Sequence, residues 1–261
     1  MKRAFEMTFS GSNDGRPGLD LPPGWRAIGL REREDAMAHA VTIAAEHGAA
    51  TLVHVRRFDL VEFAVVLEPD EPLATARRAF YAVMNAAADA ISAHVSPEKP
   101  VVFNWPATIH IDGGIVGGGL FAVPEGALED AVPDWIVAGV TLRSIVPLKG
   151  GRDSPYDLTA VKGTSLEIEG VELLHGEQLI EGFCRHLMFY VDRWQEFGFG
   201  PVGETYLGRM AKEKTRRYAI SETGDLKLKR LAGEEIVAVK SLSDALATPS
   251  WRDPDTGEPW L

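Results

Sequence analysis

The chain has 261 residues, 45% of them hydrophobic and 25% charged, which is typical of a globular protein with one large domain, alone or with a small appendage. A formal net charge of −11 argues against nonspecific nucleic-acid binding, and no segment approaches the ~18 consecutive apolar residues of a membrane span. The only cysteine, Cys184, excludes an intramolecular disulfide. Because the N-terminus also lacks the apolar core of a signal peptide, we expect a cytoplasmic protein.

The N-terminal third of the chain predicts strands and one amphipathic helix. Residues 1–9 favour a short strand, and residues 10–24 a loop rich in Gly and Pro. Residues 25–30 favour another strand. Alanines and a valine at helical spacing predict a helix over residues 32–47, which ends at Gly48. Two strands rich in β-branched residues follow, at residues 51–56 and 61–67.

Arg56 and Arg57 lie at the connection between these two strands. Two interpretations are open for them. They are solvated charges at a hairpin tip, or their guanidinium groups bind a carboxylate or phosphate, which their fork geometry suits. Residues 72–95 then predict one long amphipathic helix that packs on the sheet, with Pro72 in its first turn.

Residues 101–123 form the centre of the sequence. They predict a strand, a break at Trp105-Pro106, a second strand at 108–111, a tight turn and a returning strand. Asp112-Gly113 favours a type I′ turn, which needs positive φ at both central residues. Three consecutive glycines, Gly117, Gly118 and Gly119, then mark either a bulge or a place where a ligand approaches the backbone.

The C-terminal half continues with a buried strand at residues 135–143, a polar loop at 146–162 and an amphipathic helix at 174–197. Cys184 lies beside the apolar stripe of this helix, which favours a buried structural thiol over a nucleophile. After a basic linker at 210–217, three short strands predict a small β appendage. The tail is predicted either to be extended and to pack through Trp251 and Trp260, or to be disordered.

Several short segments, in this order, resemble the biotin/lipoate protein ligase family. Asn104-Trp105-Pro106-Ala107-Thr108 resembles the family's Lys-Trp-Pro-Asn-Asp, and Gly117-Gly118 its glycine strand. Further resemblances lie at Gly139-Val140-Thr141, at Thr164-Ser165-Leu166, and in the segment from Phe197 to Arg209.

The resemblance implies a reaction and its ligands. In this family a carboxylate such as biotin or lipoate attacks the α-phosphate of ATP, and a lysine of a carrier domain then displaces AMP from the acyl-adenylate. ATP with Mg, biotin or lipoate, and a biotinyl or lipoyl carrier domain are therefore the expected cofactors, ligands and partner. In the related lipoyl transferases a carrier thioester replaces ATP, and a cysteine is the nucleophile.

This chain departs from the family pattern wherever the family carries charge. The glycine- and arginine-rich loop is absent between residues 56 and 61, and Arg33-Glu34-Asp35 stands near the place of Ser-Thr-Asn. Asn104 stands in the place of one lysine, and Ile115 or a neighbour in the place of another. Ala107-Thr108 replaces Asn-Asp, and Thr141 replaces an asparagine. Neutral side chains stabilise phosphate charge far less than ammonium groups do.

Three hypotheses follow. In the first, the chain is a ligase or acyltransferase with a rewired site, whose candidate catalytic residues are Arg56, Arg57, His110 and Arg143. The histidine has a structural alternative, because it alternates with two isoleucines. In the second, the chain is a binding or regulatory member, with a pocket lined by Trp105, Gly117, Gly118, Gly119, Gly139 and Thr141. In the third, the basic linker and β appendage bind a carrier or another subunit.

The predicted fold is α+β. It is a mixed sheet flanked by helices, resembling the class II synthetase and biotin protein ligase catalytic domain, over residues 1–209. A small β domain and tail are predicted at 210–261. No spacing of Cys and His predicts a metal site. No helix-turn-helix precedes the domain, so we expect no DNA-binding role. The sequence leaves the oligomeric state open.

Overall fold

The computed structural model describes residues 18–146, 163–172, 176–211, 215–231 and 235–260. The predicted strand at 1–9, most of the loop at 146–162 and part of the basic linker lie outside them. The elements are β1 (Arg26–Leu30), α1 (Ala36–His47), β2 (Thr51–Val55), β3 (Leu60–Leu67), α2 (Leu73–Ala76), α3 (Ala79–Ser92), β4 (Val101–Asn104), β5 (Thr108–Ile111), β6 (Gly114–Ala122), β7 (Ile136–Arg143), α4 (Gly176–Phe197), α5 (Gly200–Arg209), β8 (Arg216–Ile220), β9 (Leu226–Arg230), β10 (Ile236–Lys240) and α6 (Leu242–Ala247).

The larger sheet has seven strands in the order β1-β2-β3-β7-β6-β5-β4. Strands β1 and β2 are parallel, and the other neighbouring pairs are antiparallel. This is the mixed sheet that the sequence predicts. The predicted β appendage is a three-stranded antiparallel sheet in the order β10-β9-β8.

Local sequence signals fix the central hairpin. Asp112 and Gly113 have φ values of 48° and 88°, as the predicted type I′ turn requires. The peptide bond between Trp105 and Pro106 is cis and separates β4 from β5. The register of β5 against β6 shifts between Ile109 and His110, so a bulge lies beside the glycines, as one of the two interpretations expected.

The predicted long helix at 72–95 is wrong in one respect, because it is divided into α2 and α3. At the junction, the N–H groups of Arg78, Phe80 and Tyr81 bind carbonyls three residues back, a tighter turn than an α-helix. The Arg77 guanidinium also pairs with Glu129 of the segment that follows β6. This segment therefore fixes the helix where it bends.

Helix α1 begins later than predicted because Asp35 caps it. The Asp35 carboxylate accepts a hydrogen bond from the N–H of Ala38 at 2.8 Å, and Gly48, with a φ of 73°, ends the helix. Small side chains on one face of α1 pack against β2, β3 and β7, which sets this helix close to the sheet.

The two faces of the larger sheet have separate cores. Helices α3, α4 and α5 cover one face with a large apolar and aromatic cluster. Helix α1 covers the other face with a smaller cluster that includes Val53, Ala64, Val66 and Val137. Within the described ranges no helix is long and apolar enough to cross a membrane.

The segment after α6 returns to the larger sheet, and we call residues 248–260 the tail. The Trp251 side chain is fully buried, and its Nε1–H donates to the carbonyl of Gly119 at 3.1 Å. The Trp260 Nε1–H donates to the carbonyl of Ser250 at 2.9 Å. The prediction that Trp251 anchors the tail is confirmed. The division of the chain at residue 209 stays a prediction.

Candidate functional site

A cavity of about 160 Å³ lies against the α1-covered face of the larger sheet. Side chains alternate along a strand, so Gly139, Thr141 and Arg143 of β7 share this face. The cavity is enclosed by β3, β6, β7, the segment that leads into α1 and the tail. Its lining residues are Arg33, Glu34, Asp35, Met37, Arg57, Leu60, Glu62, Phe63, Leu120, Gly139, Val140, Thr141, Arg252, Thr256, Gly257 and Glu258.

Glu62 is a charged residue of the cavity lining and belongs to strand β3. Its carboxylate accepts a hydrogen bond from the N–H of Ala36 at 2.7 Å, in the first turn of α1. Burial raises the pKa of Glu62, and the positive charges of Arg57 and Arg252 oppose this rise. With Asp35 on the N–H of Ala38, the chain's own carboxylates occupy an end of a helix that would otherwise attract an anion.

Arg57 is held in an ion-pair network and only 19% of its side chain is exposed. Its Nε and Nη2 donate to the two oxygens of Asp59 at 2.8 and 2.6 Å, and Nη2 also contacts Glu258 at 2.9 Å. The hydrogen bond from Arg57 is the main cause that lowers the pKa of Asp59. The interpretation of Arg57 as a solvated surface charge is therefore wrong.

Arg143 lies at the end of β7 with 2% of its side chain exposed. Its Nη2 donates to the carbonyl of Pro259 at 2.5 Å, and it lies 3.6 Å from a carboxylate oxygen of Glu258. Nε and Nη1 have no acceptor among the described residues. Burial lowers the pKa of Arg143, and the charges of Glu258 and Asp59 oppose this shift.

The tail completes the cavity. Arg252, Thr256, Gly257 and Glu258 belong to its lining, and Arg252 donates through Nε to the carbonyl of Gly257. The Ser250 hydroxyl lies 3.3 Å from that of Thr108 on β5. Residues of the tail and residues of the sheet therefore share one site, although most of the chain separates them.

Tight packing accounts for the three consecutive glycines. A Cβ on Gly117 would lie 1.9 Å from the Thr141 carbonyl oxygen, and one on Gly118 would lie 2.4 Å from the Trp251 ring. A Cβ on Gly119 would lie 2.6 Å from Phe80, on the opposite face. The chain's own atoms fill the space beside each glycine, which favours the bulge over the approach of a ligand.

Three other predicted site residues lie away from the cavity lining. Trp105 faces the helices, where its Nε1–H donates to the Tyr81 hydroxyl at 2.8 Å. His110 Nδ1 lies 3.2 Å from the carbonyl of Gly113 in the hairpin turn. The guanidinium of Arg56 lies against Gly29 of β1 and His54 of β2. Of the predicted residues, Arg57, Gly139 and Thr141 line the cavity, and Arg143 adjoins it through Glu258.

Sequence reasoning missed Glu62, Arg252 and Glu258. The signal for Glu62 was present, because it is the only charged residue in the apolar segment Leu60–Leu67. A carboxylate inside such a strand needs a buried partner. No local pattern marks Arg252 or Glu258, since only long-range contacts bring the tail to the sheet.

Cys184 is fully buried, and burial raises the pKa of its thiol to about 12. A thiol in this state carries almost no thiolate at neutral pH and is a poor nucleophile. The predicted structural role of Cys184 is confirmed. In the described part of the chain, no group of three or more His, Cys, Asp or Glu side chains could hold a metal ion.

Comparison with known proteins agrees with the fold. The model of the biotin/lipoate A/B protein ligase family matches residues 21–208, more than half of the chain. A biotin protein ligase-like protein of unknown function from Silicibacter sp. TM1040 has a TM-score of 0.71 at 23% identity, covering 88% of this chain and 100% of that one.

Two structures of the biotin protein ligase from Aquifex aeolicus are also similar. The apo structure has a TM-score of 0.60 at 14% identity, covering 83% of this chain and 99% of that one. The complex with biotin and ATP has a TM-score of 0.56 at 14% identity, covering 82% and 98%. At these identities the likeness concerns the fold. No curated protein gives a significant match.

Proposed function

The chain belongs to the biotin/lipoate A/B protein ligase family, and from this premise we propose that it binds a small carboxylic acid in the cavity beside α1. The observation that carries the proposal is the composition of the cavity lining. Apolar side chains and the backbone of Gly139 lie next to three guanidinium groups, those of Arg33, Arg57 and Arg252. A guanidinium binds a carboxylate through two parallel hydrogen bonds.

The carboxylates of the lining have partners within the chain, and that of Glu34 accepts a hydrogen bond from the N–H of Arg31. Asp35 and Glu62 accept hydrogen bonds from the first turn of α1, and Glu258 pairs with Arg57. Arg33 is exposed and makes no hydrogen bond or ion pair with any described residue. A carboxylate at the cavity mouth would therefore meet an uncommitted cation.

The lining does not fit ATP with magnesium while the tail is in place. The cavity of about 160 Å³ is below the roughly 300–1,000 Å³ of drug-sized ligand pockets. Four of its lining residues are carboxylates, and none of the described lining residues is a lysine. Negative charge crowds at the α-phosphate during adenylation, and this lining offers it little stabilisation. We therefore derive no ATP-dependent step.

What the residues would do is hold and orient an acid. The acyl chain would lie on Met37 and Leu120, and the carboxylate would face the guanidinium groups. Glu62 has a raised pKa and could exchange a hydrogen bond with a polar group of the ligand. The alternative, which family membership favours, is activation of the acid and transfer to a carrier lysine.

Isothermal titration calorimetry with biotin, lipoate and octanoate, each with and without ATP and magnesium, tests the proposal. We expect binding of at least one free acid, no dependence on ATP and no release of AMP. AMP formation would instead establish the ligase alternative. Absence of binding by all three acids under both conditions would contradict the proposal.

A matched pair of arginine variants sharpens this test. Arg33→Gln is expected to weaken acid binding about five- to tenfold, because it removes a charge-assisted hydrogen bond. Arg31→Gln removes the same charge two positions away, outside the cavity lining, and is expected to leave the affinity unchanged. Equal losses in both variants would indicate a general charge effect in place of a specific contact.

A further inference from the structure

The tail places a carboxylate between two arginines of the sheet. Glu258 lies 2.9 Å from Nη2 of Arg57 and 3.6 Å from Nη2 of Arg143. These arginines come from the loop before β3 and from the end of β7. The tail thus presents to the sheet the chemical group that a bound acid would carry.

Glu258 satisfies this pair of arginines only in part. A separation of 3.6 Å from Arg143 is too long for a hydrogen bond. The Nε and Nη1 groups of Arg143 are buried and have no acceptor among the described residues. Leaving buried charged donors unsatisfied destabilises the protein. An oxyanion bound in a different position from the Glu258 carboxylate could accept hydrogen bonds from these donors.

The position of Arg57 does not depend on Glu258. Asp59 holds it through two hydrogen bonds, to Nε and Nη2, whether or not the tail is present. The Arg143 backbone is fixed in β7, where its residue pairs with Leu60. The guanidinium of Arg57 is therefore held without Glu258, whereas that of Arg143 is held by the carbonyl of Pro259. Glu258 is the anionic partner that a ligand could replace.

We propose that Arg57 and Arg143 form an oxyanion subsite which Glu258 occupies in the free protein, and that a carboxylate or phosphate group of the ligand displaces Glu258 from it. The inference rests on the proposed function and extends it to the regulation of the same site. The tail then acts as an internal competitor. The measured association constant equals the intrinsic association constant multiplied by the fraction of molecules in which the subsite is open.

The full-length Glu258→Gln variant tests the competition, with acetate and inorganic phosphate as probes. Both probes are titrated against the wild type, Glu258→Gln and Asp255→Asn by thermal shift. We expect Glu258→Gln to bind at least one probe about fivefold more tightly, the scale of one partly exposed ion pair. Asp255 is an exposed acid of the same tail outside the cavity lining, and its variant is expected to behave as wild type.

The two probes distinguish the sources of the anion. A gain for acetate alone assigns the subsite to carboxylates, and a gain for phosphate alone to phosphates. No gain for either probe in Glu258→Gln relative to Asp255→Asn would overturn the inference. Since these probes do not fill the cavity, a failure of biotin, lipoate and octanoate to bind would contradict the proposed function without deciding the subsite.

Hydrogen exchange on the wild type gives a readout that needs no variant. Two backbone hydrogen bonds lie within the tail. The N–H of Asp253 donates to the backbone carbonyl of Glu258, and the N–H of Trp260 donates to that of Trp251. Saturation with the probe that Glu258→Gln prefers is expected to speed exchange of these amides severalfold. Unchanged or slower exchange at saturation would show that the tail stays in place, and would overturn the displacement.

Discussion

The two faces of the seven-stranded sheet differ in what covers them, although the same strands build both. One face is closed by α3, α4 and α5 through apolar and aromatic packing. The other is shared by α1 and the tail, and it holds the charged cavity. Adjacent glycines of β6 show the contrast, since Gly119 faces Phe80 and Gly118 faces Trp251. One step along a strand therefore moves a residue from the face covered by helices α3, α4 and α5 to the face covered by the tail.

The largest expected effect comes from removing one large aromatic side chain from each face. Trp251→Ala and Phe80→Ala are each expected to lower the free energy of unfolding by about 3–5 kcal/mol, because both side chains are fully buried. Urea unfolding measures both. In acid titrations, Trp251→Ala should also change the affinity and Phe80→Ala should not. Equal effects on affinity would mean that the two faces do not differ in function.

His54 lies on the side of the sheet that α3, α4 and α5 cover, and there it makes the stability of the protein depend on pH. It shares its strand face with Leu52 of the large core, and burial, followed by the charge of Arg56, lowers its pKa to about 4. Between pH 6.5 and 4 the unfolded chain binds a proton that the folded chain does not. The free energy of unfolding should therefore fall by about 3 kcal/mol as the pH drops through this window.

Urea unfolding at pH 7 and at pH 4.5 checks this expectation. His54→Gln should flatten the dependence, whereas His39→Gln, on the partly exposed surface of α1, should retain it. A dependence that survives in His54→Gln would assign it to other groups.

The smallest expected effect has the opposite sign and belongs to the cavity face. The pKa of Glu62 is raised by burial, so ionisation of this carboxyl at neutral pH costs the folded state stability. Glu62→Gln should raise the free energy of unfolding at pH 7 by less than about 1 kcal/mol, the scale of one hydrogen bond. The gain should vanish below the ordinary pKa of glutamate, where both states are protonated. A loss of stability at pH 7 would show that the ionised form is favoured.

Much of the fold followed from local sequence signals. Asp112-Gly113 predicted its turn because few residues accept positive φ. Runs of apolar and β-branched residues predicted the strands seen at Leu60–Leu67 and Ile136–Arg143. The division at Arg77 was not predicted, and no local pattern marks the distant Glu129 that pairs with Arg77.

The site was predictable only in part. Of the residues that the sequence put forward, Arg57, Gly139 and Thr141 line the cavity. Trp105 lies on the other face, where its Nε1–H donates to the Tyr81 hydroxyl. The tail residues could not be assigned, since a sequence pattern does not report which distant surface an extended segment covers.

The position of the tail along the chain also sets the order in which the molecule is built. All seven strands of the larger sheet are synthesised by Arg143, more than a hundred residues before Trp251 leaves the ribosome. The nascent chain can therefore pair its sheet while Gly118, Arg57 and Arg143 are still uncovered. Contacts over such separations form late, because a long loop must first close. During synthesis the sheet face that later carries the cavity is therefore uncovered until the tail with Glu258 arrives.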